Sequence, residues 1–280
     1  QTIAGALATL LIFDSARRTF NSATGWLAAV LWVFFPLAIF YEAQLVTHGL
    51  EVSLCALLLW LWLRAVEAPH PTRLISLGVI LGAASIVRPT LLPTAAVIVL
   101  SLISWRLAAW RQAVKPALIL AIACLLPIAP ITWHNYQASG KFQLINGHTD
   151  VTLYLGNNRD ATGLALSSPA TWATATRVRL GETTYVQQTA DDIRAYPVRW
   201  LQLMLRKMAL YWGDAELPNN VDFQREGTAV SPLLAALPMQ FGLALALALT
   251  AVLLAVRRIA ARSSGVWVLS SFVVAVPALG

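Results

Sequence analysis

Charge is what this sequence has least of. Its 20 Lys and Arg and 13 Asp and Glu make up 12% of 280 residues, about half the roughly 25% usual for a soluble domain. Apolar and aromatic residues reach 58%, and the mean hydropathy is +0.66. A disordered or collagen-like chain is excluded, and a soluble cytosolic enzyme is disfavoured. There are two cysteines, Cys55 and Cys124, each inside an apolar run, so neither a disulfide framework nor a cysteine zinc site is supported. G-x-S-x-G, the P-loop, H-E-x-x-H and the dinucleotide fingerprint are all absent. The net charge of +7 is scattered between apolar runs and forms no stripe that would track phosphates, which argues against nucleic acid as a partner. Gln1 opens the chain without Met or a charged leader, and Gly280 closes it inside another apolar run, which reads as a fragment truncated at both ends.

Long apolar runs are what the sequence does have: residues 1–13, 26–41, 45–63, 74–87, 91–105, 116–133, 233–256, and from 266 onward. Crossing the hydrocarbon core takes about 20 residues, so the 24-residue run 233–256 is the firmest span. The two runs flanking Arg88-Pro89 are short, and read either as two helices with a tight outside turn or as one re-entrant hairpin. The expected fold is an all-α polytopic membrane protein with about eight apolar helices and membrane lipid as its partner. Residues 1–133 would be transmembrane helices, 134–231 one large extracytoplasmic loop, and 232–280 transmembrane helices again.

Reversing direction at every span sorts the charges. One face receives Arg17, Arg18, Arg64, Arg73, Arg106, Arg111, Lys115, Arg257, Arg258 and Arg262 against only Asp14 and Glu67. An excess of Lys and Arg marks the cytoplasmic side. The opposite face holds Glu42, Glu51, Arg88 and the whole of 134–231, in which nine basic and nine acidic residues cancel.

Gly, Asn, Asp, Ser and Thr crowd the first half of that loop, which reads as irregular chain with a short strand over 151–155. After Pro197 the apolar residues Val198, Leu201, Met204, Leu205, Met208, Tyr211 and Trp212 recur at helical spacing, with Arg199, Gln202 and Arg206 on the other face. Such a helix, near 198–212, either lies in the headgroup plane or packs on the spans.

Charged groups at membrane depth are costly and are kept where function needs them. Glu42, His48, Glu51, Arg88 and His134 all fall on the outside rim, where they would border one cavity. Arg88 offers either a bidentate grip on phosphate or a snorkel to headgroups. His48 and Glu51, three apart, share a helix face and form either a proton-handling pair or a polar helix end. Two such groups are too few for a zinc site, so no metal residues are assigned. His134-Asn135-Tyr136 reads as an interfacial anchor, and Gly156-Asn157-Asn158 as turn chemistry.

These pieces also occur in an order. Ser85-Ile86-Val87-Arg88-Pro89-Thr90 is followed by Trp133-His134-Asn135-Tyr136 with Gly140, then by Tyr154-Leu155-Gly156-Asn157-Asn158 and Ala161-Thr162-Gly163. The 197–212 helix with Lys207 comes next, and Glu216-Leu217-Pro218-Asn219-Asn220 completes the set. The set resembles the bacterial polytopic glycosyltransferases of the GT-C class, family 39 and its relatives, similar to protein mannosyltransferases and to enzymes that add sugars to lipid A or other envelope polymers. The resemblance implies an enzyme of the bacterial inner membrane that takes a sugar from a polyprenyl-phosphate carrier and hands it to an acceptor outside the cytoplasm.

On that resemblance Arg88 and Lys207 would bind the donor phosphate, while Glu42, His48, Glu51, His134, Asn135, Tyr136, Asn157 and Asn158 would be the substrate-binding candidates. The catalytic base would be an acidic residue ahead of residue 1, and the fragment alone would be inactive. A divalent metal is an open cofactor; the sugar and the acceptor are unassigned. The sequence departs from the family where His48 follows Thr47, a place often held by Glu, and at His134, often Arg. The competing reading is a non-catalytic transporter or flippase of lipid-linked saccharides. A membrane-anchored binding module built on the loop ranks third.

Overall fold

In the computed structural model the chain is all-helical among the residues described, which are 1–44, 46–106, 110–164, 168–213, 222–227, 231–237 and 242–247 with 229, 250, 268 and 269. It divides into two compact units, Gln1–Ile145 with Glu216–Gly280, and Asn146–Ala215.

The first unit carries α1 (Thr2–Thr19), α2 (Ser22–Val33), α3 (Pro36–Ala43), α4 (Thr47–Glu67), α5 (Pro71–Val87), a 3-10 turn (Pro89–Leu91), α6 (Thr94–Arg106) and α7 (Trp110–Ser139). Asn21 starts α2 by accepting the Thr24 backbone N–H at 2.8 Å. Pro36 interrupts the apolar run 26–41: its ring holds Phe35 extended, at ψ 106°, and α2 and α3 meet at 54°.

By length and composition two helices can cross a membrane, α4 and the Val114–Ser139 part of α7, and a third can if α2 and α3 form one bent span. The 21 residues of α4 reach about 32 Å. Pro116, Pro127 and Pro130 all lie inside α7, which membrane helices tolerate when neighbours satisfy the freed carbonyls. At 17 and 13 residues, α5 and α6 are shorter.

Leu58, Trp62, Leu77, Leu81, Ile98, Leu120 and Ile128 make the core between α4, α5, α6 and α7. A polar pairing within it is closed: the Trp62 indole N–H donates to Ser101 Oγ at 2.7 Å, and Ser101 donates on to the Ile98 carbonyl at 2.7 Å. Gly78 and Gly82, one turn apart on α5, let α7 approach closely. A β-carbon at Gly78 would stand 2.6 Å from the Leu120 carbonyl oxygen, and one at Gly82 would stand 2.6 Å from Pro127 Cγ and still nearer the Cys124 carbonyl. This is the small-xxx-small contact of membrane helices.

These contacts also set directions. Gly78 faces Leu120 and Gly82 faces Cys124, so α5 and α7 run parallel. Gln1 bonds Val46 at the start of α4, while Asp14 bonds Trp60 near its end, so α1 and α4 run parallel too.

The run 233–256 is not one unbroken helix where it is described. A short helix, Pro232–Ala236, ends at an extended Leu237, because Leu237 precedes Pro238. Helix resumes over 242–247; most of the remainder, most of the run from 266, and Glu216 to Asn220 lie outside the described residues.

The second unit holds α8 (Thr149–Asn157), α9 (Pro169–Arg179), α10 (Tyr185–Ala195) and α11 (Pro197–Tyr211). The strand expected over 151–155 is therefore a correction: that segment is helical. Val151, Tyr154, Leu155 and Asn158 are the covered positions and Thr152 and Leu153 the exposed ones, a spacing of three and four and not of two. Capping boxes start α9 (Ser168 with Thr171) and α10 (Thr184 with Gln187). The centre is polar: Tyr154 is buried with its hydroxyl 2.9 Å from Thr174 Oγ1, beside buried Thr171, Thr189 and Asp192.

Candidate functional site

Arg88 ends α5 because Pro89 follows it, which leaves Arg88 extended at φ −138° and ψ 100°. Its side chain turns back to α4. Nη1 donates to Glu51 Oε1 at 2.9 Å and to Oε2 at 3.1 Å, and Nε donates to Thr90 Oγ1 at 3.2 Å. The Arg88 side chain is 42% exposed against 19% for Glu51. Nη2 has no protein acceptor among the described residues, so the fork is held on one edge and open on the other.

The other rim residues sit at the same helix ends. Glu42, in the last turn of α3, lays its carboxylate against Gly5 of α1, where a β-carbon would collide with it. The Gln1 amide donates to the Val46 carbonyl at 2.7 Å. One turn before Glu51 on α4, the His48 ring packs on Tyr41 with centroids 5.1 Å apart, and its Nδ1 is shielded from solvent with no hydrogen-bond partner. Among the described residues no third His, Cys, Asp or Glu joins His48 and Glu51 to hold a metal. Glu42, Glu51, His48 and Arg88 thus cluster at one end of the parallel pair α1 and α4, while Asp14, Arg17, Arg18 and Arg64 lie at the other.

The His134-Asn135-Tyr136 step lies within α7. Asn135 acts on the backbone. Its Nδ2 donates to the carbonyls of Ile145 at 2.8 Å and Gln143 at 3.4 Å, and Thr132 donates to the Leu144 carbonyl. Together they fold the chain after Gly140 back along α7, and Gly140 makes that turn at φ +67°. His134 is exposed, and Tyr136 is half-exposed. Tyr136 lines an apolar groove of about 470 Å³ with Trp133, Phe142 and Leu144.

In the second unit Asn157 and Asn158 close the end of α8. Asn158 is buried, donates to the Tyr154 and Leu155 carbonyls at 3.0 and 3.1 Å, and accepts the Asp160 N–H at 2.8 Å. Asn157 accepts the Trp200 indole N–H at 3.2 Å, tying α8 to α11. Asp192 takes the Arg159 N–H at 3.0 Å and the Gln188 side-chain N–H at 3.0 Å. Lys207 on α11 brings its Nζ within 3.4 Å of where a Gly156 β-carbon would be, over the C-terminal turn of α8, where the helix dipole favours a cation. Burial pushes the Lys207 ammonium below its usual pKa, and among the described residues it has no acceptor.

Sequence reasoning missed Thr90, Gly5, Gln1, Trp200 and Asp192. Thr90 could have been found, being two residues from Arg88 across a proline; the others meet their partners only through tertiary packing.

The family model described as dolichyl-phosphate-mannose-protein mannosyltransferase matches residues 1–134, a stretch that holds α1 to α6, most of α7 and the Arg88–Glu51 pair. No curated protein and no solved structure matches the chain. The matched stretch is similar to membrane glycosyltransferases that use a lipid-linked sugar.

Proposed function

We propose that the chain is part of a glycosyltransferase of the bacterial inner membrane. It moves a sugar from a polyprenyl-phosphate carrier to an extracytoplasmic acceptor, whether protein, lipid or envelope glycan. Residues 1–133 and 232–280 form its membrane helices and 134–231 its outer loop. The observation that carries this reading is the Arg88 guanidinium, anchored on one edge by Glu51 and Thr90 and open on the other, at the end where Glu42 and His48 also lie. The family match over the same residues supports it.

In the transfer, the acceptor oxygen bonds to the anomeric carbon as the bond from that carbon to the carrier phosphate breaks. The electron pair leaves on the phosphate oxygen, and the acceptor proton passes to a base, a role the resemblance gives to an acidic residue. A planar guanidinium suits the departing phosphate, pairing with two of its oxygens as charge develops. Lys207, in the second unit, is the other residue proposed to bind donor phosphate, as a cation that burial leaves poorly hydrated. Glu42, His48, His134, Asn135, Tyr136, Asn157 and Asn158 are the residues left to meet sugar and acceptor hydroxyls. Asn135, Asn157 and Asn158 act there by holding backbone in place.

A transporter of lipid-linked saccharides would gather its polar groups near the bilayer midplane on broken helices in matching halves. Glu42, Glu51 and Arg88 stand at helix ends, which favours transfer. The test is sugar transfer by the full-length protein in proteoliposomes supplied with polyprenyl-phosphate sugar. Arg88→Ala should lower kcat/KM by about 10²-fold or more, with Arg88→Lys recovering part of it. Unchanged turnover in Arg88→Ala would remove Arg88 from the reaction.

A further inference from the structure

The opposite end of the first unit carries a second cluster that the transfer reaction does not use. There the last turn of α1 meets the last turns of α4 and the start of α5. Asp14 accepts from Arg17, from Arg18 and from the Trp60 indole N–H, the last at 2.9 Å. Arg18 also reaches Glu67 at 3.5 Å. Both carboxylates in the cluster are thereby engaged. Two arginines remain. The Arg64 guanidinium lies over the Trp60 ring, 5.1 Å from its centroid. Arg73 Nη1 donates to the Arg64 and Ala68 carbonyls at 3.0 and 3.2 Å, which brings it to the same turn. Neither Arg64 nor Arg73 faces a carboxylate within 4.0 Å among the described residues.

Among the described residues, four guanidiniums against two carboxylates leave this turn two positive charges in excess. The surroundings say what neutralises them. Leu10, one turn before Asp14, is 64% exposed, and Ile75, two residues after Arg73, is 45% exposed. They lie in the apolar runs 1–13 and 74–87, which the proposed topology sets in the membrane. An anionic phospholipid would offer a phosphate to the arginines while its acyl chains met the apolar surface of the surrounding helices. Basic pockets between membrane helices meet such headgroups, and guanidinium is weakly enough hydrated to give up water for a phosphate.

We propose that Arg64 and Arg73, with Trp60 and Arg18 beside them, form a site for the phosphodiester of an anionic phospholipid at the end of α1, α4 and α5 remote from Arg88. The site is independent of the glycosyl-transfer reading.

The test uses the full chain in nanodiscs of phosphatidylcholine with a fraction of phosphatidylglycerol, counting retained lipids of each kind by native mass spectrometry. Wild type should retain phosphatidylglycerol in preference. Arg64→Met, which keeps an apolar stem on Trp60 and removes the charge, should lower that preference about fivefold. Arg179→Met, an exposed arginine of the second unit, should leave it unchanged. Because Arg73 also caps α4, the site does not rest on an Arg73 variant. Should Arg64→Met fail to fold, the wild-type preference and its decline with added salt decide the matter. Equal retention of the two lipids by wild type, or an undiminished preference in folded Arg64→Met, would overturn the proposal. Displacement of the lipid by inorganic phosphate alone would overturn the lipid as occupant.

Discussion

Gly78→Ala puts the α5–α7 seam to a quantitative trial. In an isolated helix the change stabilises by about 1 kcal/mol, because glycine is the poorer helix former. In this seam the new β-carbon would stand 2.6 Å from the Leu120 carbonyl oxygen and 2.7 Å from Ala123 Cβ. Ordinary contact begins at 3.4 Å, so the helices must part by about 0.8 Å. The oxygen belongs to helical backbone and cannot rotate aside. A radial gap of roughly 0.5–1 Å forfeits a quarter to a half of each dispersion contact it opens, and overpacking of this kind costs about 1–3 kcal/mol. The expected net result is a loss of about 0–2 kcal/mol, with Gly82→Ala worse because its clash with the Cys124 carbonyl is tighter. Unfolding by dodecyl sulfate in mixed micelles, followed by circular dichroism, reads the difference. A gain of about 1 kcal/mol in Gly78→Ala would show that propensity alone governs the site and that α5 and α7 do not approach as described.

Other perturbations follow from single contacts. Asn135→Ala removes the donors to the Gln143 and Ile145 carbonyls; it should cost about 1 kcal/mol and raise amide exchange over residues 141–146, and unchanged protection would contradict the clamp. Tyr154→Phe leaves buried Thr174 without the Tyr154 hydroxyl, which should lower stability by about 1–3 kcal/mol, read as a drop in Tm. Lys207 has its pKa lowered by burial. While charged it weighs against the folded state, and that deficit vanishes as pH rises from its folded pKa toward the ordinary lysine value. Lys207→Met should therefore raise Tm at neutral pH, flatten the alkaline rise in stability and weaken donor binding. A steeper alkaline rise would reverse the sign of this account.

Helix positions were largely legible from apolar run length, as at α4 and α7, whereas the run 26–41 read as continuous and is broken at Pro36 into α2 and α3. Alternation of spans placed Glu42, Glu51 and Arg88 on one rim, and the structure brings Arg88 to Glu51 within hydrogen-bond distance. What escaped was tertiary. Residues 151–155 alternate like a strand, and only the cover over Tyr154 and Asn158 shows the helical period. The Gly78 and Gly82 pair carried a readable four-residue spacing, but the backbone it meets lies on α7. Asn135 stood out within an interfacial anchor and Asn157 and Asn158 as turn chemistry, and three-dimensional contacts show them bonding backbone or indole, which no local pattern announces. The first half of 134–231 looked irregular because its helices are held by caps and buried hydroxyls, with few aliphatic residues to mark a period.

Cysteine accessibility tests the central claim most directly, since the account needs the Arg88 end to face outside and the Arg64 end to face the cytoplasm. In a full-length background with Cys55→Ala and Cys124→Ala, Thr90→Cys and Arg179→Cys should react with a membrane-impermeant maleimide on intact cells. Arg73→Cys should react only after permeabilisation. Labelling of Arg73→Cys in intact cells while Thr90→Cys stays protected would invert the membrane orientation, and with it the extracytoplasmic transfer.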